Sequence, residues 1–544
     1  MAARALPWLI AAAAFAVFSL ISVRQWTAYE FPSWDLGIFS SAAQGYSRGG
    51  PPIVSIKGDN YNLLGDHFHP ILALTGTLWA LWPSPLMLLV LQAVLFAISA
   101  VPLTRLAIDR LGAGLGAVVG CGYVFSWGIQ AAHMVQFHEI AFAVPMLALS
   151  LTALVRERYG AAAIWASLLV TVKEDLGLTV IMVGTVIAWR GWREWRGWRG
   201  GSTSTAGRGG RNSTAVRGGS TSTAGRSQPF MHRSIADART IIIGVTLAAW
   251  GAVWAVLSML VILPALSSEG QFEYTDNVGS LLDVFVPGTK WITVMLLILT
   301  MGVVGLRSPI WLIMLPTLAW RFTGTVEFYW GWTWHYSAVL MPIAVAALLD
   351  AVGPRHSRNP EPQHSGASNP APQYSGASNA AQQYPSASNP APQHAGARAA
   401  ARRFIAPAAV LSLLISSLAA HLLGPPLPVT DLASPITAQQ REHRASADAV
   451  LAQLPDGDPL IAADISVMAP AVPHADVQWT HGPNLLTPSC AILDLNAFSW
   501  GGEPPADRAA WLQERYQARF ELVMQSGAVE LWCLEHQPTR TDQH

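Results

Sequence analysis

Long apolar segments alternate with short polar loops through the first 424 residues of the chain. A helix needs roughly 20 apolar residues to cross the hydrocarbon core of a bilayer, and segments near that length recur throughout this region. The pattern predicts about eleven membrane-spanning helices, which lie near residues 6–23, 84–104, 112–128, 140–155, 160–173, 175–189, 240–264, 291–306, 309–320, 336–350 and 404–424. Those at 160–173, 175–189 and 309–320 are short, so half-penetrating or tilted pairs are the alternative there and would lower the count.

After residue 424 the pattern changes to that of a small domain outside the membrane. The predicted elements are a helix at 437–454, strands at 460–463 and 490–495, a helix at 507–520 and a hairpin at 521–535 that turns at Ser526–Gly527. The predicted fold class is therefore an all-α polytopic membrane protein with a C-terminal α/β domain over residues 425–544.

Two inserts are of low complexity and contain too few apolar residues to form a core. The decapeptide RGGSTSTAGR occurs at 199–208 and again at 217–226, and a second insert repeats between residues 359 and 397. We predict that the surrounding segments are disordered cytoplasmic linkers. The resulting division of the membrane region is 1–189, linker 190–239, 240–350, linker 351–403 and 404–424.

Composition supports a membrane location and argues against several other classes of protein. Hydrophobic residues make up 51% of the chain and charged residues 12%, and the mean hydropathy is +0.33, as in integral membrane proteins. The formal net charge is zero, which gives no electrostatic reason to expect nucleic acid as a partner. The sequence contains no glycine-rich phosphate loop, nucleophile elbow or zinc-protease motif, so ATP hydrolysis and zinc-protease chemistry are unsupported.

Arginine asymmetry predicts the orientation in the plasma membrane. The arginines that fall on one side of the alternating spans are Arg105, Arg110, Arg156, Arg158, Arg307, Arg355, Arg358, Arg402 and Arg403, with those of the 190–239 linker. By the positive-inside rule this side is cytoplasmic, and so is the N-terminus of this multi-pass protein. The segments that then face outward are 24–69, 129–139, 265–290, 321–335 and the C-terminal domain.

Cysteine is scarce, and Cys121, Cys490 and Cys533 are the whole set. Cys490 and Cys533 both lie on predicted strands of a domain that faces an oxidising compartment. A disulfide between them and a pair of buried, unpaired thiols are both compatible with the sequence.

The outer loop at 24–69 holds two carboxylates, Asp35 and Asp66, and two histidines, His67 and His69. Asp35 lies in the apolar context WDLGIF, where desolvation is expected to raise its pKa and suit it to general base catalysis. The alternative is a helix N-cap, with Asp35 starting a short helix through Gln44. His67 and His69 beside Asp66 resemble half of a metal site, for a divalent cation such as Mg²⁺ or Mn²⁺. Interfacial histidines bonded to loop carbonyls are the alternative.

Other outer segments add charged side chains. Lys173, Glu174 and Asp175 interrupt a long apolar run, and such charges either line a polar cavity or form a tight turn between two spans. A lysine there can bind a lipid phosphate as a point charge. His138 and Glu139, in the segment HMVQFHEI, are further candidate ligands from a third outer segment.

An aromatic run, FYWGWTWHY at 328–336, falls at the same membrane face and contains Trp332, His335 and Tyr336. An interfacial aromatic belt is one interpretation of this run. Stacking on a sugar or an isoprenoid is the functional one.

Several of these stretches together resemble a bacterial membrane-protein family, domain of unknown function 2079. They are WDLGIF with Gln44, LGDHFHPIL, QFHEIAFAVP, VKEDLGL, HYSAVLMP and ISVMAPAVPH. The family is distantly similar to the multi-spanning C-type (GT-C) glycosyltransferases. Those enzymes take a sugar from a polyprenyl-phosphate carrier outside the membrane and depend on an acidic residue in the first outer loop.

The resemblance implies roles for the candidate residues. Asp35 takes the position of the catalytic base, with Asp66 as the second catalytic candidate, and Lys173 or Arg321 holds the carrier phosphate. The other residues implied in substrate binding are Gln44, His138, Glu139, Glu174, Asp175, Trp332, His335 and Tyr336. The first loop has no paired-acid or D-x-D signature, and there the sequence departs from the pattern of those enzymes.

Two hypotheses of different class follow. The first is a glycosyltransferase that moves a sugar from polyprenyl phosphate to an envelope glycan, lipid or protein. The second is a non-catalytic membrane protein, either a transporter or a scaffold for envelope assembly. The charges collect at one face and no convincing inverted repeat is visible, which favours an enzyme or a scaffold over a transporter.

Overall fold

The computed structural model describes residues 2–205, 228–268, 270, 277, 279–353, 393–483 and 486–535. Residues 206–227 and 354–392 of the predicted linkers lie outside these residues, so their predicted disorder stays a prediction. The flanking linker residues 190–205, 228–239 and 393–403 are helical. The described part is a helical membrane region followed by a small domain that contains one β-sheet.

The first part of the membrane region combines long apolar helices with short ones. Its α-helices are α1 (Ala2–Ala28), α2 (Asp35–Ser47), α3 (Leu63–Asp66), α4 (Ala73–Leu81), α5 (Pro85–Leu111), α6 (Ala113–Val124), α7 (Trp127–Met134), α8 (Ala143–Val155) and α9 (Tyr159–Ser167). The start of α5 follows sequence rules, because Ser84 accepts a hydrogen bond from the Leu86 amide and Pro85 occupies the first helical position.

The second part of the membrane region is interrupted more often. Its α-helices are α10 (Leu176–Thr205), α11 (Gln228–Leu257), α12 (Leu263–Leu266), α13 (Lys290–Thr300), α14 (Leu315–Thr323), α15 (Glu327–Trp330), α16 (Leu340–Val352) and α17 (Gln393–Leu423). A π-helical turn at Ser258–Ile262 joins α11 to α12, and a 3-10 helix at Pro309–Met314 precedes α14.

Within the described residues, five helices are long and apolar enough to cross a membrane: Arg4–Ala28, Pro85–Leu111, Ala113–Met134, Ile235–Leu266 and Phe404–Leu423. A sixth candidate is the pair Glu327–Ser337 and Leu340–Val352, which is bent by 68°. A multi-spanning helical membrane protein is thereby confirmed, whereas the predicted number of eleven spans is not.

Several of the other predicted spans are helices too short to cross a bilayer. The segments at 140–155, 160–173 and 291–306 form apolar helices of 10–17 residues. The helical stretch Glu139–Val155, which contains α8, is about 25 Å long, whereas the hydrocarbon core is about 30 Å thick. Because α8 and α16 are buried almost throughout, their apolar sequences reflect packing against protein.

Helices α10 and α11 approach each other through glycines. A Cβ added to Gly184 would lie 2.5 Å from the carbonyl oxygen of Gly244, and one added to Gly177 would lie 2.9 Å from that of Gly251. Small residues permit this close backbone contact between membrane helices. The contact anchors the start of α10, directly after the charged residues at 173–175.

The C-terminal domain begins with α18 (Ala438–Leu451), whose N-terminus is capped by a capping box between Thr437 and Gln440. The elements that follow are β1 (Leu460–Ala463), α19 (Ile465–Ala471), β2 (Asp476–Trp479), β3 (Cys490–Asp494), α20 (Arg508–Tyr516), β4 (Phe520–Ser526) and β5 (Val529–Leu534). The sheet order is β2-β1-β3-β5-β4, with β2, β1 and β3 parallel and β5 and β4 antiparallel to their neighbours. The short strand β2, with the mixed sequence DVQW, was not predicted.

Cys490 on β3 lies opposite Cys533 on β5, and the two form a disulfide. The sequence left a disulfide and two unpaired thiols open, and the fold has the disulfide. The bond links the parallel part of the sheet to its C-terminal hairpin.

The C-terminal domain is docked on the loop at 24–69. The Tyr29 hydroxyl donates to Asp448 at 2.7 Å and the Ser55 hydroxyl donates to Asp476 at 3.0 Å. Trp34, just before α2, meets Trp479 edge to face at a ring distance of 4.8 Å. The loop therefore has the domain on one side and the membrane helices on the other.

Candidate functional site

A cavity of about 330 Å³ lies beside the first outer loop. It is enclosed by that loop, the start of α10, the π-helical turn after α11 and the aromatic run. Its titratable lining residues are Asp35, Lys57, Asp66, His67, His69, His138, Glu139, Lys173, Glu174, Asp175, Tyr329, His335 and Tyr336. Most of the residues singled out from the sequence therefore share one cavity.

Asp35 is the first residue of α2 and lines this cavity. Its carboxylate accepts a hydrogen bond from the Ser33 hydroxyl at 2.7 Å and lies 3.3 Å from Nε2 of His138. Burial by itself would raise the pKa of Asp35, but His138 and then Ser33 outweigh burial and lower the pKa. The predicted rise in pKa is therefore wrong. Asp35 is the first residue of α2 but not its N-cap, because Trp34 occupies that position and no side chain caps the helix. Asp35 also lines the cavity.

Three ion pairs join the segments around the cavity. They are Lys57 Nζ with Asp66 Oδ2 at 2.6 Å, His67 Nδ1 with Glu174 Oε1 at 2.8 Å and Lys173 Nζ with Glu139 Oε1 at 2.8 Å. Glu174 also accepts a hydrogen bond from the Phe68 amide at 3.0 Å. These contacts fix the first outer loop against the start of α10 and the segment before α8.

The ion pairs shift the titration of their members. Burial alone would raise the pKa of Glu139, but Lys173 outweighs it and lowers the pKa to about 2. Burial would lower the pKa of Lys173, and the carboxylates around it raise the pKa instead. Outside these pairs, burial and the adjacent Glu174 raise the pKa of Asp175 to about 6.

One wall of the cavity is formed by imidazoles. The rings of His138 and His335 are stacked with centroids 3.8 Å apart, and His138 Nδ1 lies 3.2 Å from the Gln136 carbonyl oxygen and donates to it. His69 and His335 are buried, and Nδ1 of each has no hydrogen-bond partner in the described part of the chain. Burial lowers the pKa of His69 to about 4, which keeps that imidazole neutral.

The described residues of the cavity provide no complete ligand set for the predicted metal site. His67 is engaged by Glu174. Among the residues that the structure describes, no group of three or more His, Cys, Asp or Glu side chains is placed to hold a metal ion. Binding of Mg²⁺ or Mn²⁺ stays a prediction from the sequence.

Three predicted substrate-binding residues lie outside the cavity lining. Gln44 is buried and donates to the Val472 carbonyl at 2.8 Å, so it holds the C-terminal domain against α2. Arg321 is fully buried, and its guanidinium donates to the backbone carbonyls of Tyr329, Gly331 and Tyr336. Trp332 lines a separate hollow near Pro425. Arg321 therefore stabilises the backbone of the aromatic run and does not face the cavity.

Other lining residues were not assigned to the site from the sequence. Lys57 meets Asp66 because the loop folds back through an antiparallel bridge between Ile53 and Asn62. Trp34 and Trp320 also line the cavity. The lysine had a usable signal, since the chain has three lysines in all. The tryptophans had none, because tryptophan is common throughout this chain.

The fold and the cavity together define a multi-spanning helical membrane protein with a polar, acidic cavity enclosed by its loops and helix ends. Over residues 29–366, more than half of its length, the sequence matches the family described as "Predicted membrane protein (DUF2079)". The chain belongs to this family, which confirms the resemblance carried by the motifs. No curated protein and no solved structure matches the chain.

Proposed function

We propose that the protein is an integral-membrane glycosyltransferase that moves a sugar from a polyprenyl-phosphate carrier to a cell-envelope acceptor on the extracytoplasmic face. The observation that carries the proposal is Asp35, an ionised carboxylate held by Ser33 and His138 at the wall of a large cavity. A cavity of about 330 Å³ falls in the size range of small-molecule sites.

In this proposal Asp35 assists attack by the acceptor hydroxyl. The bond between the anomeric carbon and the carrier phosphate oxygen breaks, the bond to the acceptor oxygen forms, and the hydroxyl proton passes to Asp35. A carboxylate of low pKa is a weak base, but the hydroxyl becomes strongly acidic as its oxygen bonds to carbon, so late transfer to Asp35 is feasible. The same negative charge stabilises positive charge that develops on the sugar.

The carrier lipid enters in this proposal from the side of α11. Leu178 and Met259 contribute apolar surface to the cavity, and Leu260 and Val261 beside Met259 are largely exposed. An exposed apolar surface on a membrane helix faces lipid. The carrier phosphate then reaches Lys173 by exchange with Glu139, since a phosphate oxygen can take the place of a carboxylate oxygen beside an ammonium.

The orientation proposed for this function places the C-terminal domain outside the cytoplasm, where disulfides persist. In a Cys121→Ala background we expect the denatured, unreduced protein to resist a polyethylene-glycol maleimide, and to gain two labels after reduction. Cys533→Ala should expose one reactive thiol without reduction. Labelling of both cysteines in the unreduced protein would place the domain in the cytoplasm and contradict the orientation.

The function is tested most directly through its donor. Deleting the gene should make the unused polyprenyl-phosphate sugar accumulate severalfold, as measured by mass spectrometry of extracted lipids, because its consumer is missing. Wild-type protein and the exposed loop variant Asp59→Asn should both restore the normal level. If no polyprenyl-phosphate sugar and no envelope glycan changes in the deletion strain, the transferase proposal is wrong.

The alternative of a non-catalytic scaffold has one observation in its favour. Both cavity lysines are already paired with carboxylates at 2.6 and 2.8 Å, as in a purely structural polar cluster. The donor measurement separates the two functions, because a scaffold consumes no lipid-linked sugar.

A further inference from the structure

A pocket lined by arginines lies at the membrane face opposite to the cavity. This arginine pocket has a volume of about 330 Å³, and its lining consists of Arg4, Arg105, Ile108, Asp109 and Arg156. Arg4 lies at the start of α1, a helix of 27 residues whose other end leads into the loop of the cavity, so about 40 Å of helix separates the two places. The face that carries the pocket is the one predicted to be cytoplasmic.

Two packed membrane helices supply most of the pocket. On α1, Arg4 and Trp8 are four residues apart, and on α5, Arg105 and Asp109 have the same spacing. Residues at this spacing lie on one face of a helix. The Arg105 guanidinium lies over the Trp8 ring, 5.3 Å from the ring centroid. This cation–π contact holds Arg105 where the two helices meet.

The pocket has an excess of positive charge. It contains three arginines and one aspartate, and that aspartate, Asp109, is paired with Arg156. Arg4 and Arg105 have no carboxylate partner in the described part of the chain. Both are exposed, so two guanidinium groups are free to bind an anion.

The backbone beside the pocket does not oppose an anion. Arg156 directly follows α8, and the carbonyl oxygens at the C-terminus of a helix would repel negative charge. Two arginines outside the lining bind these oxygens. Arg110 donates to the Val155 carbonyl at 3.0 Å, and Arg190 donates to the Leu154 carbonyl at 3.1 Å. The last turn of α8 is therefore covered by positive charge.

An exposed apolar surface continues from the pocket toward the middle of the membrane. On α1 it consists of Trp8, Ala12 and Phe15, and on α5 it includes Ile98, seven residues before Arg105. Spacings of four and seven residues keep these side chains on one stripe of each helix. The pocket and this surface together match a molecule with an anionic head and acyl chains.

From this arrangement we infer that the arginine pocket binds the headgroup phosphate of an anionic phospholipid whose acyl chains lie along α1 and α5. A guanidinium offers paired N–H donors that match phosphate oxygens, and Arg4 and Arg105 supply two such groups. Basic pockets between membrane helices on the cytoplasmic side bind anionic headgroups in this way. A soluble phosphate would leave the apolar surface unused. The inference does not depend on the proposed transferase function.

Native mass spectrometry of the full-length protein in detergent tests the inference. The probes are anionic phosphatidylglycerol and zwitterionic phosphatidylcholine with identical acyl chains, each added to delipidated protein. We expect phosphatidylglycerol to bind about 25-fold more tightly, because each of the two free arginines contributes about fivefold toward an anionic headgroup. Raising the salt concentration should reduce this preference.

Charge-removing variants locate the site. Arg4→Gln and Arg105→Gln should each weaken phosphatidylglycerol binding about fivefold, and the double variant about 25-fold. Phosphatidylcholine binding should stay the same, which shows that the variants are folded. Arg158→Gln is the matched control, because it removes an exposed arginine close to Arg156 but outside the pocket lining. It should leave phosphatidylglycerol binding unchanged.

Equal binding of the two lipids, or unchanged phosphatidylglycerol binding by the double variant, would overturn the inference. So would an equal loss for Arg158→Gln, because the charge of the whole face would then be responsible. Competition with inorganic phosphate separates a lipid from a soluble anion. Persistence of bound phosphatidylglycerol at an equal phosphate concentration supports the lipid, whereas its displacement would show that the acyl chains contribute nothing and that the assignment to a lipid is wrong.

Discussion

Replacing Asp35 by asparagine is expected to lower sugar transfer by about 10²- to 10⁴-fold, the range typical of general acid–base groups. The asparagine keeps the shape of the side chain but removes the negative charge that accepts the hydroxyl proton. His138, which lies 3.3 Å away, would then face a neutral amide. The helix itself should persist, because its N-terminus is not closed by the Asp35 side chain.

Transfer is measured in membranes from the deletion strain, whose accumulated lipid supplies the donor, by following loss of the sugar from the lipid fraction. Asp59→Asn serves as the matched control, since it removes the same charge from an exposed position in the same loop. Thermal unfolding of purified Asp59→Asn should match that of the wild type, and Asp35→Asn should stay folded with a lower midpoint, because it loses the charge beside His138. Full transfer by Asp35→Asn would refute the role of Asp35 as base.

Replacing Lys173 by methionine is expected to destabilise the protein by about 3–5 kcal/mol, the cost of removing one partner of a buried ion pair. The side chains of Lys173 and Glu139 are only 12% and 3% exposed, so the variant leaves a carboxylate with little water around it. We expect the free energy of unfolding, measured at equilibrium in mixed micelles, to fall by this amount. The same measurement serves for the variants below.

The double variant Lys173→Met with Glu139→Gln should recover most of this loss, because it removes both charges together. A comparison pair is Arg48 with Asp458, whose side chains are about half exposed. Arg48→Met should cost less than about 1 kcal/mol, as surface ion pairs do. A loss for Lys173→Met no larger than that for Arg48→Met would show that the cavity pair is well solvated.

The helical membrane region and much of the C-terminal domain were predictable from local pattern. Five predicted spans coincide with long apolar helices, and strand β1 has the predicted bounds, 460–463. The capping box at Thr437 marks the start of α18. These features depend on neighbours in sequence, which is why the sequence reveals them.

The number of spans was harder to predict, because helices that pack inside the protein are as apolar as helices that face lipid. Helix α8 is apolar and buried, and the apolar stretch that contains it, Glu139–Val155, is shorter than the five candidate spans. Hydropathy measures transfer out of water and does not distinguish these two surroundings.

The chemistry of the site depended on contacts distant in sequence. Desolvation of Asp35 was foreseeable from its apolar neighbours, but its meeting with His138 was not, and that contact reverses the shift of its pKa. Arg321 similarly had the charge to hold a phosphate, yet the fold surrounds it with backbone carbonyls.

The sequence by itself determined that this chain is a multi-spanning membrane protein of its family, with an acidic loop after its first helix and a small C-terminal domain. Hydrophobic period, caps and motifs encode those properties locally. The tertiary structure alone decided which charges meet, namely that both cavity lysines are paired with carboxylates and that Asp35 lies beside His138. Electrostatic interactions fall off with distance and are strengthened by burial, so they follow from spatial arrangement, which no local pattern records.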